Sequence, residues 1–277
     1  MAEVSTYQTL NNLALWQHMA TTTLERMRGV KLMNRIDTKY VLHYDEAIQL
    51  LEAAATQGYM VQIIGQVRAC RYQTLYYDTA ERAMYVAHHN RKLTRQKIRT
   101  RHYVESGITF LEIKNKTNRG RTRKRRVEIA HDLYNGFYDD GIAAEFYNAN
   151  ANYPIGDIAP ALTTEFTRIT LVNKEYTERL TVDFDLRYCD IQSGRKGGVA
   201  EMVILELKQD GRHTSQIKRI LEQMRIQPLK VSKYCLGTVL TVKGVKSNRF
   251  KAKLRDIEKR LGNRQPSLDT TTKQYNE

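Results

Sequence analysis

The stretch TFLEIKNKTNRGRTRKRRVEI, residues 109–129, alternates apolar and charged residues on both sides of a glycine-containing turn. A strand points successive side chains to opposite faces of its sheet. Leu111 and Ile113 therefore share one face, while Glu112 and Lys114 share the other. The pattern predicts two antiparallel strands that belong to a sheet with one apolar and one charged face.

The same alternation recurs in further predicted strands, at 31–42, 71–79, 94–104, 162–172, 178–189 and 200–210. In the strand 178–189, an apolar set opposes a polar set, namely Leu180, Val182, Phe184 and Leu186 against Arg179, Thr181, Asp183 and Asp185. An open sheet with one face in water would satisfy this pattern. A closed antiparallel barrel also satisfies it, and gives the predicted helices an apolar outer face to pack on. We therefore predict an α+β fold in which a closed β barrel with a polar lumen has its helices outside.

Helical patterns flank these strands. We predict an N-terminal segment over 1–29, whose helix runs over 6–28, ends at Gly29 and packs on the barrel, a main domain over 30–243, and a charged helix with a disordered tail over 244–277. Further helices are predicted at 45–58, opened by Asp45 and closed by Gly58, at 214–224 and at 232–240, with a helical or irregular stretch at 132–150.

The charge balance indicates the class of partner. The chain has 45 Lys and Arg against 30 Asp and Glu, which gives a formal net charge of +15 and favours polyanions. No stretch approaches the roughly 18 apolar residues of a membrane span, and the N-terminus lacks a secretory pattern, so we expect a cytoplasmic protein. The three cysteines are far apart and predict neither disulfides nor a zinc site.

A lumen lined by many Arg and Lys is unfavourable when empty, because like charges repel in a confined, partly dehydrated space. A bound polyphosphate would relieve this repulsion through charge-assisted hydrogen bonds, whereas a barrel filled with side chains excludes a nucleic acid duplex. The carboxylates on the same predicted face offer oxygen ligands for Mg²⁺ or Mn²⁺, namely Glu112, Asp183, Asp185 and Glu206.

Nine motifs along the chain carry a family resemblance: RIDTKYVL, RYQTLYYDT, KIRTR, TFLEIK, RTRKRRVEI, TEFTRITL, RLTVDFDL, VILELK and KVSKY. In this order, over about residues 30–240, they resemble the VTC (vacuolar transporter chaperone) domain, the polyphosphate polymerase branch of the triphosphate tunnel metalloenzymes. The resemblance implies an eight-stranded antiparallel tunnel that binds nucleoside triphosphate or polyphosphate together with a divalent metal, Mn²⁺ or Mg²⁺.

The resemblance also implies roles for individual residues. Those that would contact the transferred phosphates in catalysis are Arg99, Arg101, Arg168 and Arg179; further phosphate-binding residues are Lys39, Lys114, Lys124, Arg126, Lys230 and Lys233. Glu206 resembles the metal-binding glutamate, and Asp183 and Glu112 are further metal candidates. Two readings without a ligand stay open: Glu112 and Lys114 can form a cross-strand ion pair, and Asp183 can serve as a counter-charge to Arg179.

One departure concerns the opening strand. Hydrolytic members of the superfamily begin with Glu-x-Glu-x-Lys, where this chain has Arg35-x-Asp37-x-Lys39. We read this as favouring a polymerase-like phosphotransferase over the alternatives, a metal-dependent triphosphatase or a non-catalytic polyphosphate-binding module. A membrane partner protein is compatible with the resemblance, and the oligomeric state is left open.

Three other sequence features are given structural roles. Arg123 and Arg125 have the opposite parity to Arg126 and are predicted on the outer surface. His88 and His89 are predicted in a solvated loop. The stretch SGRKGG, residues 193–198, lacks the lysine and hydroxyl pair of a phosphate-binding loop and is predicted to be a hairpin loop.

Overall fold

The computed structural model describes residues 5–28, 35–211 and 214–262, apart from the side chains of Arg28 and Arg35. The strands in this part of the chain are β1 (Thr21–Thr23), β2 (Arg35–His43), β3 (Met60–Ile63), β4 (Ala69–Asp78), β5 (Arg95–Tyr103), β6 (Ile108–Lys116), β7 (Thr122–Ile129), β8 (Ala159–Val172), β9 (Glu178–Asp190), β10 (Lys196–Gly198) and β11 (Met202–Asp210). The α-helices are α1 (Thr6–Asn11), α2 (Leu24–Arg28), α3 (Tyr44–Thr56), α4 (Ala83–His89), α5 (Gly141–Asn150), α6 (Gln216–Gln223), α7 (Lys233–Thr241) and α8 (Lys251–Arg260).

Eight strands form one antiparallel path in the order β2-β11-β9-β8-β4-β5-β6-β7. Short strands extend it, since β3 pairs with β8, β1 pairs with β3 in parallel, and β10 pairs with β9. Side chains from all eight strands of the path line a single cavity, so the sheet curves around it. We call this concave side the inner face.

The two ends of this path do not meet. Within the described ranges, no hydrogen-bonded pairing joins β2 to β7, so closure of the barrel is not confirmed. Instead the segment 228–233 lies beside β2, where the Lys39 carbonyl accepts a hydrogen bond from the Leu229 N–H at 2.8 Å. The Lys97 ammonium on β5 donates to Ser232 Oγ in the same segment at 2.9 Å.

Two apolar clusters cover the outer face, as the alternation predicts. One joins β2, β11, β9 and β8 to α3 and α6, with Leu42, Leu51, Val182, Leu205 and Ile217 at most 1% exposed. The other packs α5 and nearby turns on β4 to β6, through residues such as Leu111, Ile113 and Tyr147. Burial of these apolar side chains is the main favourable contribution to the fold.

A third apolar cluster lies on the inner face, where an entirely polar lumen was expected. It combines side chains that alternate with the buried outer residues, such as Val41, Leu162 and Ile204, with residues of α7 and α8. We call this cluster the inner plug. Helix α7 approaches β8 and β9 closely because Gly237 has no side chain: a Cβ there would lie 2.7 Å from Leu162 Cδ2 and would also overlap the ring of Tyr188.

The predicted faces of β9 hold only as far as Phe184. Asp185 has φ of 51°, and the pairing of β8 with β9 shifts register at this point. Such a bulge inserts an extra residue and reverses which side chains face inward. Leu186, predicted with Leu180 on the apolar outer face, therefore belongs to the inner plug.

Several helix predictions are also corrected. Residues 6–28 form α1, a short 3₁₀ helix, β1 and α2 in place of one helix, and the predicted end at Gly29 lies outside the described residues. The cap of α3 is His43, whose Nδ1 accepts from the Asp45 N–H, so Asp45 is not the cap. Helix α8 matches the charged helix, whereas the predicted tail beyond residue 262 falls outside the described part of the chain.

Candidate functional site

The cavity on the inner face has a volume of about 1500 Å³ and is strongly basic. Among the described residues that line it, eighteen are Lys or Arg and four are Asp or Glu, so the cavity repels cations and favours anions. Eleven of the thirteen predicted site residues line this cavity: Lys39, Arg99, Arg101, Lys114, Lys124, Arg126, Arg168, Arg179, Glu206, Lys230 and Lys233. We call it the basic cavity.

Glu112 lies beneath the cavity wall and holds two of these cations. It is fully buried, and its Oε2 accepts hydrogen bonds from Arg99 Nε at 2.7 Å and Nη2 at 2.5 Å. Lys124 forms an ion pair with the other carboxylate oxygen. Burial raises the pKa of Glu112, but Arg99, Arg101 and Lys124 outweigh burial and hold it well below its usual range.

Lys114 lies beside Glu112, Arg99 and Lys124 in a position where nearby cations disfavour its own positive charge. It pairs across the strands with Lys97 on one side and Lys124 on the other. Arg99, burial and Arg101 together lower the pKa of Lys114 to about 5. The alternative of an ion pair between Lys114 and Glu112 is not observed, because the Glu112 carboxylate pairs with Arg99 and Lys124. A phosphate group would favour the protonated form of Lys114.

A second buried carboxylate organises the centre of the inner face. Asp183 is 1% exposed and accepts from Arg168 Nε at 2.5 Å and Nη2 at 2.8 Å, and it also pairs with Lys233 at the start of α7. Burial raises the pKa of Asp183, while Arg168 and Lys233 lower it well below its usual range. Asp183 thus acts as a counter-charge for Arg168 and Lys233, where the sequence left open a metal ligand or a counter-charge to Arg179.

Glu206 lies at the β2 side of the cavity and is more accessible than the other two carboxylates. Its side chain is 22% exposed, and Lys208 Nζ lies 3.0 Å from Glu206 Oε1 and 3.4 Å from Asp37 Oδ2. Burial raises the pKa of Glu206, but Lys39 and Lys208 hold it well below its usual range, so it is ionised at neutral pH. Lys39 donates weakly to the Val231 carbonyl at 3.4 Å.

The three predicted metal ligands differ in how they fit a metal. Glu112 and Asp183 are saturated by cations, whereas Glu206 presents a partly exposed carboxylate to the cavity. No group of three or more His, Cys, Asp or Glu side chains in the described ranges is placed to hold a metal ion by itself. One carboxylate combined with substrate phosphates fits Mg²⁺, which keeps several waters and rarely uses an all-protein cage.

Some lining residues were not selected from the sequence. Lys97 and Lys208 continue the basic rows, and the alternation that selected Arg99 and Glu206 also pointed to them. Tyr76 is 4% exposed and its hydroxyl accepts from Arg99 Nη1 at 3.3 Å. Burial raises the pKa of Tyr76, but the neighbouring Arg99, Arg101 and Lys97 more than offset burial and lower it. The contact between Tyr76 and Arg99 could not be predicted from the sequence, because it depends on which strands are neighbours.

The comparisons with known proteins bear on this site. The family model of the VTC domain matches residues 34–242. The chain belongs to the VTC-domain family. This confirms the resemblance drawn from the nine motifs, and most of the residues that line the basic cavity fall within the matched region.

Solved structures resemble this VTC-domain chain at low sequence identity. A putative adenylate cyclase from Bacillus halodurans is 12% identical with a TM-score of 0.46, covering 72% of this chain and 96% of that one. A putative adenylyl cyclase from Hippeastrum, described as having a dominant triphosphatase activity, is 14% identical with a TM-score of 0.47, covering 77% and 99%. The RNA triphosphatase Pct1 of S. pombe is 9% identical with a TM-score of 0.27, covering 68% and 72%. No curated protein sequence matches the chain.

The predictions for residues that were given structural roles have mixed outcomes. Arg123 and Arg125 lie on the outer side, where both line a small separate cavity, as their parity predicts. His89 is 1% exposed within α4 and bonds Asn248 Oδ1, so the prediction of a solvated loop is wrong. Residues 196–198 form β10 against β9, so the predicted hairpin loop is partly strand. None of the described helices is both long and apolar enough to cross a bilayer.

Proposed function

We propose that this VTC-domain protein binds nucleoside triphosphate and inorganic polyphosphate in the basic cavity and transfers phosphoryl groups between them. The observation that carries the proposal is the convergence of Arg99, Arg101, Lys114, Lys124 and Arg168 on one cavity of the inner face. Phosphoryl transfer needs little covalent help from protein, because positioning and charge neutralisation supply most of the acceleration. A cavity with such an excess of cations supplies both.

Each part of the site has a role in this proposal. Arg99 and Arg168 are held by buried carboxylates, so their guanidinium groups are already oriented before a phosphate arrives. Arg101 is 5% exposed and only its Nε bonds Thr74 Oγ1, at 3.1 Å, among the bonds of the described residues. Its remaining N–H groups are suited to bind equatorial phosphate oxygens.

The reaction itself is a displacement at phosphorus. A terminal phosphate oxygen of the growing chain attacks the γ-phosphorus of the nucleotide, the bond from that phosphorus to the β–γ bridging oxygen breaks, and nucleoside diphosphate leaves. Lys39, Lys233 and Arg179 line the same space and would neutralise the charge of acceptor and leaving group. A divalent metal, Mg²⁺ or Mn²⁺ held by Glu206, would supply further charge neutralisation on phosphate oxygens.

The test is to incubate pure protein with ATP and Mn²⁺ or Mg²⁺, and to resolve polyphosphate by gel and orthophosphate by a colorimetric assay. Long chains support the phosphotransferase. Orthophosphate alone would assign a triphosphatase, and binding without turnover would assign a non-catalytic module.

Single substitutions locate the activity. We expect Arg99→Ala and Glu206→Ala to lower kcat by about 10²-fold or more, the scale seen when one charge-stabilising group is removed. Arg123→Ala is the matched control for Arg99→Ala, because the substitution also removes one arginine charge, but from the outer side of β7. Equal activity in all three variants would place the chemistry elsewhere.

A further inference from the structure

The basic cavity is not uniform along its length. On β5 and β6 the cross-strand pairs change from Arg95 with Lys116, through Lys97 with Lys114 and Arg99 with Glu112, to Arg101 with Phe110 and Tyr103 with Ile108. The lining is therefore cationic at one end and aromatic at the other. We call the second end, formed by Tyr72, Tyr103 and Phe110, the aromatic end.

The rings of the aromatic end form a connected set. The Tyr72 and Tyr103 centroids lie 4.9 Å apart at 62°, and those of Tyr103 and Phe110 lie 5.9 Å apart at 89°. All three side chains are half-buried and line the cavity. Among the described residues, Tyr103 and Phe110 belong to none of the three apolar clusters, so core packing does not explain them.

Two of the three rings of the aromatic end contact arginine side chains, and such contacts help to orient those arginines. The Arg126 guanidinium lies 4.2 Å from the Phe110 centroid, and that of Arg101 lies 5.7 Å from the centroid of Tyr72. In the part of the chain that the structure describes, no Lys or Arg lies over the ring of Tyr103. The half-buried Tyr103 ring therefore packs against Tyr72 and Phe110 but, among the described residues, orients no cation.

The spacing suits a ligand with an aromatic and an anionic end. Tyr103 lies four positions after Arg99 on β5, which is about 14 Å along the strand. Arg101 lies between them on the same face. A nucleoside triphosphate has this polarity, since its base is a flat π system and its charge increases toward the γ-phosphate.

We propose that the aromatic end receives the nucleobase by stacking on Tyr103 and Phe110, and that the triphosphate extends from there toward Arg99 and Lys114. The proposal rests on the proposed function and adds the orientation of the nucleotide within the cavity. Stacking uses the π face that every base possesses, so it recognises nucleoside triphosphates as a class. The acceptor polyphosphate then approaches from the cationic end, beside Arg95 and Lys116.

Two ligands separate stacking from phosphate binding. Calorimetry would measure the Kd of the non-hydrolysable analogue adenosine 5′-(β,γ-imido)triphosphate and of inorganic tripolyphosphate, for the wild type, Tyr103→Leu and Phe110→Leu. Stacking is worth about 1–3 kcal/mol per base, so we expect the nucleotide Kd to rise about 5- to 150-fold in the variants. The tripolyphosphate Kd should stay unchanged. Phe146→Leu is the matched control, because Phe146 is a half-buried ring on the outer face.

The outcomes distinguish the two proposals. Equal weakening of both ligands would mean that the rings only position arginines, and would overturn the stacking proposal. Unchanged nucleotide affinity in both variants, or a wild type that binds tripolyphosphate but not the nucleotide, would overturn it as well and leave phosphate binding intact. A wild type that binds neither ligand would overturn the proposed function, and the stacking proposal with it.

Discussion

Replacing Glu112 with Gln tests whether a buried carboxylate compensates the cations of the basic cavity. The change keeps the shape of the side chain and removes one negative charge that is fully buried. Arg99 and Lys124 would lose their ion-pair partner, while Arg101 and Lys114 stay nearby. Removing one partner of a buried ion pair costs about 3–5 kcal/mol, because it leaves an uncompensated buried charge.

The expected loss is large enough to measure by thermal unfolding. For a chain of this size each kcal/mol corresponds to about 2–4 °C, so Tm should fall by about 6–20 °C in Glu112→Gln. We expect the lower part of this range, because the Gln oxygen still accepts a hydrogen bond from Arg99. Glu128→Gln is the control, since Glu128 lies on the inner side of β7 but is exposed.

A polyanion should restore much of the loss. A ligand at 100 times its Kd stabilises the folded state by about 2.7 kcal/mol, and the freed cations of the variant should bind tripolyphosphate more tightly than the wild type does. The rise in Tm with tripolyphosphate should therefore be larger in Glu112→Gln. A variant with the Tm of the wild type, or with a smaller rise in Tm on addition of tripolyphosphate, would refute the hypothesis that the Glu112 carboxylate compensates the cations of the basic cavity.

Two further predictions use other parts of the inner face. Because the pKa of Lys114 is lowered to about 5, the folded chain holds fewer protons than the unfolded chain from there up to about pH 10.5, and stability should rise with pH across this window. Lys114→Met should flatten that rise, measured as Tm between about pH 7 and pH 8; an unchanged slope would contradict it. Gly237→Ala should lower the free energy of unfolding by about 1–3 kcal/mol in urea titrations, because the new Cβ overlaps Tyr188, although Ala is usually favoured over Gly inside a helix. A gain in stability would show that α7 can move away from the sheet.

The alternation of side chains was enough to predict which side of several strands carries the charged residues of the basic cavity. Strand faces depend on a local period of two residues, so Arg99, Lys114 and Lys124 could be assigned to one side without knowing which strands are neighbours, whereas Lys39 was assigned from the family resemblance. The same local period also separated Arg123 from Arg126 correctly. The family motifs then indicated that these faces meet.

Ion pairing could not be predicted in the same way, because it depends on positions that are distant in sequence. Asp183 lies four residues from Arg179, yet it pairs with Arg168 on the neighbouring strand and with Lys233 on α7. Helix α4 was not predicted from the sequence, because the group that stabilises its start lies outside the helix. The carboxylate of Asp78 accepts from the N–H groups of Met84 and Tyr85, so a residue of β4 stabilises the start of that helix.

The inner plug links the apolar and the basic parts of the inner face. Helix α7 begins at Lys233, which pairs with Asp183 in the cavity wall, and the next residue, Tyr234, donates to the buried Asp78. The close contact at Gly237 fixes the rest of the helix on β8 and β9. Burial and the positive charge of Arg168 lower the pKa of Lys233 to about 8, although Asp183 acts in the opposite direction. The charged form of Lys233 is therefore favoured by its ion pair with Asp183, and α7 holds Lys233 where that ion pair forms. An apolar cluster in the lumen is therefore compatible with phosphate binding, because it positions one of the cations that the phosphates would contact.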